Sequence, residues 1–102
     1  MKGGELMEYG DRSGITREIE LWSLSLRYQM LDRMRADCDY YLGAGNRQRK
    51  YLWAGEVAKQ IAYMKEIWSS FPRNMRPSWL SMAQICDYEQ RMEERNENHQ
   101  EE

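Results

Sequence analysis

The chain holds a single histidine, His99, and it lies in the run Asn-Glu-Asn-His-Gln-Glu-Glu at 96–102. That scarcity excludes a Ser-His or Cys-His nucleophile, because no base remains to activate either hydroxyl or thiol. Cysteine is nearly as rare. Cys38 and Cys86 form no C-x-x-C pair, so neither a structural zinc site nor a disulfide-stapled secreted scaffold is expected. No run approaches the ~18 apolar residues of a membrane span, and Met-Lys-Gly-Gly-Glu at the start shows no apolar signal core. Lys and Arg number 15 against 17 Asp and Glu, a net charge of −2, which argues against affinity by broad phosphate neutralisation. Asp37 and Asp39 lie two apart, hence on different sides of a helix, poor geometry for an acid/base pair or a shared metal. The expectation is a cytoplasmic protein that is not an enzyme, with no catalytic residue, no metal, no cofactor and no membrane partner.

What is present is bulky. Four tryptophans, seven tyrosines and eight methionines stand in a chain of 102 residues that is 41% hydrophobic and 31% charged. Such residues fill a small core, and they are also enriched at protein interfaces. The length suits one domain that closes a modest core without staples. Residues 1–15 hold four of the seven glycines with little apolar spacing and read as a mobile arm. Residues 96–102 read as a disordered, solvated acidic tail, leaving 16–95 as the folded domain.

Periodicity predicts an all-α fold: an antiparallel helical hairpin over about 16–42 and 46–70, with a third helix over about 81–95 packed across it. Thr16 is a suitable N-cap. Leu24, Tyr28, Leu31, Cys38 and Leu42 share one stripe, widened by Met34 and Tyr41. Ile19, Leu21, Leu24 and Leu26 partly alternate like a strand, but Trp22 breaks the alternation and the helical period runs through. Arg35 falls in the stripe and is expected to snorkel. Gly43 occupies the position of a left-handed cap, and Asn46 that of an N-cap for the second helix. Trp53, Val57, Ile61, Met64 and Trp68 line that helix, flanked by Ala54, Ile67 and Phe71, until Pro72 stops it. Ser81-Met82-Ala83-Gln84 fits a capping box, with Trp79 and Leu80 as its apolar staple. Met82, Ile85, Cys86 and Met92 mark the buried edge of the third helix. Glu89 falls on the same line, which predicts burial of its first half only. Both cysteines are expected to be small buried apolar residues.

Two features are candidates for function. Arg47, Arg49 and Lys50 would crowd the first turn of helix two, against its dipole, at a few tenths of a kcal/mol each. Pairing with Asp37 and Asp39 across the turn would answer this internally. An external anion, such as nucleic-acid phosphate also met by Lys59, would answer it from outside. Second, Trp22, Leu26 and Tyr40 on helix one, and Leu52, Tyr63 and Ile67 on helix two, fall off the main stripes. That leftover surface either receives the third helix or forms a contact face for a partner protein or a second copy of the chain. The glycine turn Gly43-Ala44-Gly45-Asn46 is a weak phosphate-cradle signal, since it lacks the Lys-Ser/Thr ending and no strand precedes it.

Tyr28-Gln29-Met30-Leu31-Asp32-Arg33-Met34, Asp37-Cys38-Asp39-Tyr40-Tyr41-Leu42-Gly43-Ala44-Gly45-Asn46-Arg47, Leu52-Trp53-Ala54 and Gln60-Ile61-Ala62-Tyr63-Met64-Lys65 together resemble the large polyvalent protein-associated domain family, type 11. Pro77-Ser78-Trp79-Leu80-Ser81-Met82-Ala83-Gln84-Ile85 resembles its C-terminal end, so the likeness spans about 26–92. The resemblance implies a phage, plasmid or other mobile-element setting in a bacterial host cell, and it carries no catalytic residues. With it, the leading expectation is a non-enzymatic factor that binds a host or element-encoded protein and acts on host defence, of the anti-CRISPR or antirestriction type. The alternatives are a nucleic-acid-binding accessory protein and a self-associating assembly component.

Overall fold

The run read as one helix over 16–42 is two. In the computed structural model, which describes residues 14–101 with side chains over 14–93, a short helix α1 spans 14–20 and α2 spans Leu24–Leu42. The break follows from Ser23, whose extended backbone (φ −66°, ψ 162°) and Oγ, accepting from Leu26 N–H at 3.1 Å, start a new helix. Arg27 then closes the joint. Its Nε donates to Ile19 O and Trp22 O at 3.1 Å, and its terminal nitrogens reach Glu20 O and Ser70 O at 3.4 and 3.5 Å. Leu21, at the corner, is left 86% exposed, while Ile15 and Ile19 are buried. Of the expected arm 1–15, only Gly14 and Ile15 are among the described residues, and both belong to α1.

The second helix also starts later than expected. α3 spans Val57–Ser70, and the stretch before it is a connection that includes a 3-10 turn at Arg49–Tyr51. Asn46 cannot be an N-cap here, because it and Arg47 both adopt left-handed backbone (φ 51° and 56°), whereas a cap is extended. Gly43 does end α2, donating to Asp39 O and Tyr40 O at 3.0 and 3.1 Å, but with φ −113° rather than a left-handed angle. Gly45 N–H and Arg47 N–H cap Tyr40 O and Tyr41 O, at 2.6 and 2.7 Å. Three backbone donors thus satisfy the Asp39, Tyr40 and Tyr41 carbonyls that the helix end leaves open.

α4 spans Met82–Glu101 and begins on the expected capping box: Ser81 N–H donates to Gln84 Oε1 at 2.8 Å, and Gln84 N–H to Ser81 Oγ at 3.1 Å. The backbone of 96–101, expected as tail, continues this helix; no glycine or proline interrupts 82–102. No strand occurs among the described residues.

Contacts establish the directions. Arg27 near the start of α2 meets Ser70 at the end of α3, Tyr28 stacks on Phe71 at 4.3 Å, and Met34 meets Gln60 in the first turn of α3. The pair is therefore antiparallel. Trp68 Nε1–H donates to Leu80 O at 2.9 Å and Lys65 pairs with Glu89 at 2.8 Å, so α4 runs antiparallel to α3 on its other flank. α1 lies against α3 through Tyr63 O–H to Glu18 at 2.6 Å and Thr16 O–H to Glu66 at 3.1 Å. The centre is built from the expected stripes: Leu31, Met34, Cys38 and Tyr41 of α2, Ile61, Met64 and Ile67 of α3, Ile85 and Met92 of α4. Glu89 does not end burial on α4, since Lys65 neutralises it and Met92 beyond it is fully buried. Cys86 is exposed, contrary to expectation, while Cys38 is buried with its Sγ 3.7 Å from Met64 Sδ.

Candidate functional site

The connection 43–56 is held by close backbone and side-chain contacts. Gly45 is needed because a Cβ there would stand 2.8 Å from Tyr40 O and 2.9 Å from the Tyr40 ring. Beneath the connection lies a buried polar network. Gln60, fully buried, accepts from Ala54 N–H at 2.9 Å and donates to Met34 O at 3.2 Å and to Asp37 Oδ2 at 3.5 Å. The same Asp37 oxygen accepts from Trp53 N–H at 2.9 Å. Trp53 and Ala54 are thus held by side chains from α2 and α3, in place of the helical bonds expected for them.

The cations of this stretch divide. Arg47 turns onto α4, donating to Met92 O and Arg91 O at 3.1 and 3.2 Å with its guanidinium 6.0 Å from the Tyr41 ring centre. Arg49 and Lys50 stay exposed on the 3-10 turn, and Lys50 Nζ sits 5.3 Å from the Tyr51 ring centre. Lys59 alone of the four lies in the first turn of α3, so the clustered conflict with the helix dipole does not arise. The expected pairing of Asp37 and Asp39 with Arg47 and Arg49 is likewise replaced. Asp37 is held by Trp53 and Gln60; Asp39 accepts from Tyr88 O–H at 2.6 Å and from Arg35 at 3.5 Å.

The apolar residues singled out from the sequence do not form one face. Leu52, Tyr63 and Ile67 are buried, at 4%, 7% and 0% exposure. Trp22 is half-buried, edge-on to Trp53 at 6.4 Å, which is edge-on to Tyr63 at 5.0 Å. This aromatic chain fastens the corner after α1 to α3, and it takes two of the off-stripe positions, Trp22 and Tyr63, into packing. Burial, then the Glu18 carboxylate, pushes the Tyr63 phenol up to about 12. Leu26 and Tyr40 do remain on the surface, at 37% and 46%.

Other exposed apolar residues went unforeseen: Tyr51, Met75 and Trp79, at 39%, 38% and 42%. Trp79 was expected to staple the start of α4. Instead it borders an open depression of about 610 Å³ shared with Tyr28, Gln29, Asp32 and Arg35. The Arg35 head does reach the surface, where it pairs with Asp32 at 2.5 Å and Asp39 at 3.5 Å and lies 5.8 Å from the Trp79 ring centre. The i, i+3 and i, i+4 spacing of these acids on either side of Arg35 was the available signal for that cluster. No three of His, Cys, Asp and Glu gather as a metal site among the described residues. No helix among them is long and apolar enough to cross a membrane.

A family model described as Large polyvalent protein-associated domain 11 matches residues 24–92. The chain belongs to that family. The Large polyvalent protein-associated domain 11 is associated with polyvalent proteins of mobile elements, and its span here runs from the first residue of α2 to the last buried methionine of α4. α1 lies ahead of the family span and adds Ile15 and Ile19 to the core. No curated protein and no solved structure matches the chain.

Proposed function

We propose that this domain is a non-enzymatic recognition module that binds a protein through the depression beside Trp79. The carrying observation is the placement of an exposed tryptophan next to Tyr28 and Arg35, the residue types that anchor protein interfaces. Leu26, one turn ahead of Gln29 on α2, and Met75, whose carbonyl accepts from Tyr28 O–H, extend the apolar surface around it. Asp32 and Asp39 outnumber Arg35 in the cluster, so the partner that fits presents Lys or Arg beside an apolar side chain. The cation meets Asp32, more than half exposed, and the open face of Trp79. The buried thiol of Cys38 is pushed up to about 12, mainly by burial, and so stays neutral.

In a mobile-element setting, the class of partner to test first is a host protein that defends against incoming DNA. Proteins that handle DNA carry basic surface, which is the chemistry this depression complements. The test compares capture from host lysate by the wild type and by Trp79→Ala/Asp32→Lys, followed by calorimetry with the purified partner. A protein retained by the wild type, bound directly, and lost by the double variant supports the reading. Equal affinity of both for every captured protein refutes it, provided circular dichroism shows both folded.

A further inference from the structure

At the other end of α2, about 18 Å along the helix from Tyr28 by its rise per residue, lies a second surface with different chemistry. Tyr40 and Tyr51 meet edge to face at 4.9 Å and 80°, and both rings are exposed. They are held rigidly from below. Gly45 is buried against them, so close that a Cβ on it would stand 2.9 and 3.1 Å from their Cδ2 atoms. Beside the rings the 3-10 turn presents Arg49 and Lys50 to solvent, with neither paired to a carboxylate among the described residues. The two acids that come just before Tyr40 turn elsewhere: Asp37 to Trp53 N–H, and Asp39 to Tyr88 and Arg35. A chain with net charge −2 thus keeps a local spot of unneutralised positive charge next to rigid, open aromatic rings.

We propose that the Tyr40–Tyr51 surface, with Arg49 and Lys50, binds an unpaired nucleic-acid strand. An exposed base stacks on the open tyrosine surface, and the phosphates flanking it meet the guanidinium and ammonium groups. Stacking of this kind tolerates any base, since each has a π face, but it needs bases released from a duplex. Two cations give a shallow salt dependence, a slope of about −1.4 in log K against log salt for a single strand. The surface is separate from the Trp79 depression and uses none of its residues.

The experiment is fluorescence anisotropy of labelled oligothymidylate and oligouridylate, titrated with the full chain at low salt, beside a duplex of mixed sequence. The expected result is saturable single-strand binding that exceeds duplex binding. Tyr40→Ala lowers affinity about 10-fold, within the range of one lost stacking contact, and Arg49→Ala/Lys50→Ala flattens the salt slope toward zero. Tyr40→Leu keeps apolar cover over Gly45 without a ring, so it loses binding as Tyr40→Ala does while melting like the wild type. No single-strand binding at low salt overturns the proposal. Unchanged affinity in Tyr40→Leu also overturns it, as does equal binding of duplex and single strand. Loss of a captured protein partner in Tyr40→Leu, with no oligonucleotide bound by the wild type, would reassign the surface to protein contact.

Discussion

Replacing Gln60 by methionine isolates the hydrogen bonds that hold the 43–56 connection, because methionine keeps the length and nearly the volume of the side chain. Gln60 is fully buried and makes three bonds: one accepted from Ala54 N–H and two donated, to Met34 O and Asp37. Met34 O retains its place in the α2 ladder, so its loss is small. Ala54 N–H is different, for it would be left without a partner under the connection, a cost of about 1–3 kcal/mol. Asp37 loses a donor while still accepting from Trp53 N–H, which adds about 1 kcal/mol. Gln60→Met should therefore destabilise by about 2–4 kcal/mol, read from the urea midpoint followed by tryptophan fluorescence. Gln60→Glu sharpens the case, since a carboxylate there faces Asp37 in a dry site and its pKa in the folded state rises. A raised folded pKa means the variant's added penalty is absent below about pH 4 and grows as pH rises toward neutrality. Should Gln60→Met cost under about 0.5 kcal/mol, or Gln60→Glu show a flat pH profile, the network does not hold the connection as argued.

Arg27→Ala removes the clamp on the α1 carbonyls and on Ser70 O, and should lower the melting temperature by about 10 °C for a loss near 2 kcal/mol; Arg27→Lys should recover less than half, since one ammonium cannot span both helix ends. Gly45→Ala places its Cβ against Tyr40 O, a backbone atom, and should cost about 1–3 kcal/mol in the same melting assay. Alkaline pH should unfold the domain early. Cys38, Tyr63 and Tyr88 are held up to about 12, against ordinary values of about 8.5–10, so the stability of their neutral forms is complete below about pH 9 and drains away toward pH 12. Buried Cys38 contributes up to about 1.4 kcal/mol per pH unit within its window and the solvent-screened tyrosines less, and a urea midpoint unchanged from pH 9 to 11 would contradict the assignment.

The stripes Leu31–Met34–Cys38–Tyr41 and Ile61–Met64 were legible because buried helix faces repeat with the helical period. Two boundaries were not legible, for physical reasons. Ser23 is a favoured cap, yet the apolar pattern runs across it, and the tertiary reach of Arg27 to two helix ends, which helps hold the break, has no local signal. Asn46 is a favoured cap too, but the same short polar side chain tolerates left-handed backbone, and the turn uses that property instead. Periodicity placed Trp53 on a helix because its spacing to Val57 is helical. Its N–H is in fact satisfied by Asp37, sixteen residues earlier, a long-range bond that no local rule can see. The functional surfaces suffered from the same limit. Leu52 and Tyr63 look spare on a helical wheel yet are buried, Tyr63 against Glu18 and Trp53, whereas Trp79, read as a staple, is left outside.

The residues that carry the family likeness have, in this structure, a common physical task. Asp37 and Gln60 suspend Trp53 and Ala54, Gly45 lets the turn close on Tyr40, left-handed Asn46 reverses the chain, and Arg47 ties the reversal to α4. None of these needs a ligand to account for it. In this chain the motif therefore encodes the shape of a loop. What the loop displays is a separate matter, set by residues that its own geometry does not require. Tyr51, Arg49 and Lys50 stand on the 3-10 turn without contributing to the Asp37–Gln60 network, and Trp79 and Asp32 lie outside the loop altogether. Variants at Arg49, Lys50, Asp32 and Trp79 should change binding while leaving the melting temperature within about 2 °C of wild type, as surface substitutions commonly do. Variants at Gly45 or Gln60 should lower stability first and binding only as a consequence. A Gln60→Met protein that melts early yet binds its partner normally below its transition would separate the frame from the function it carries.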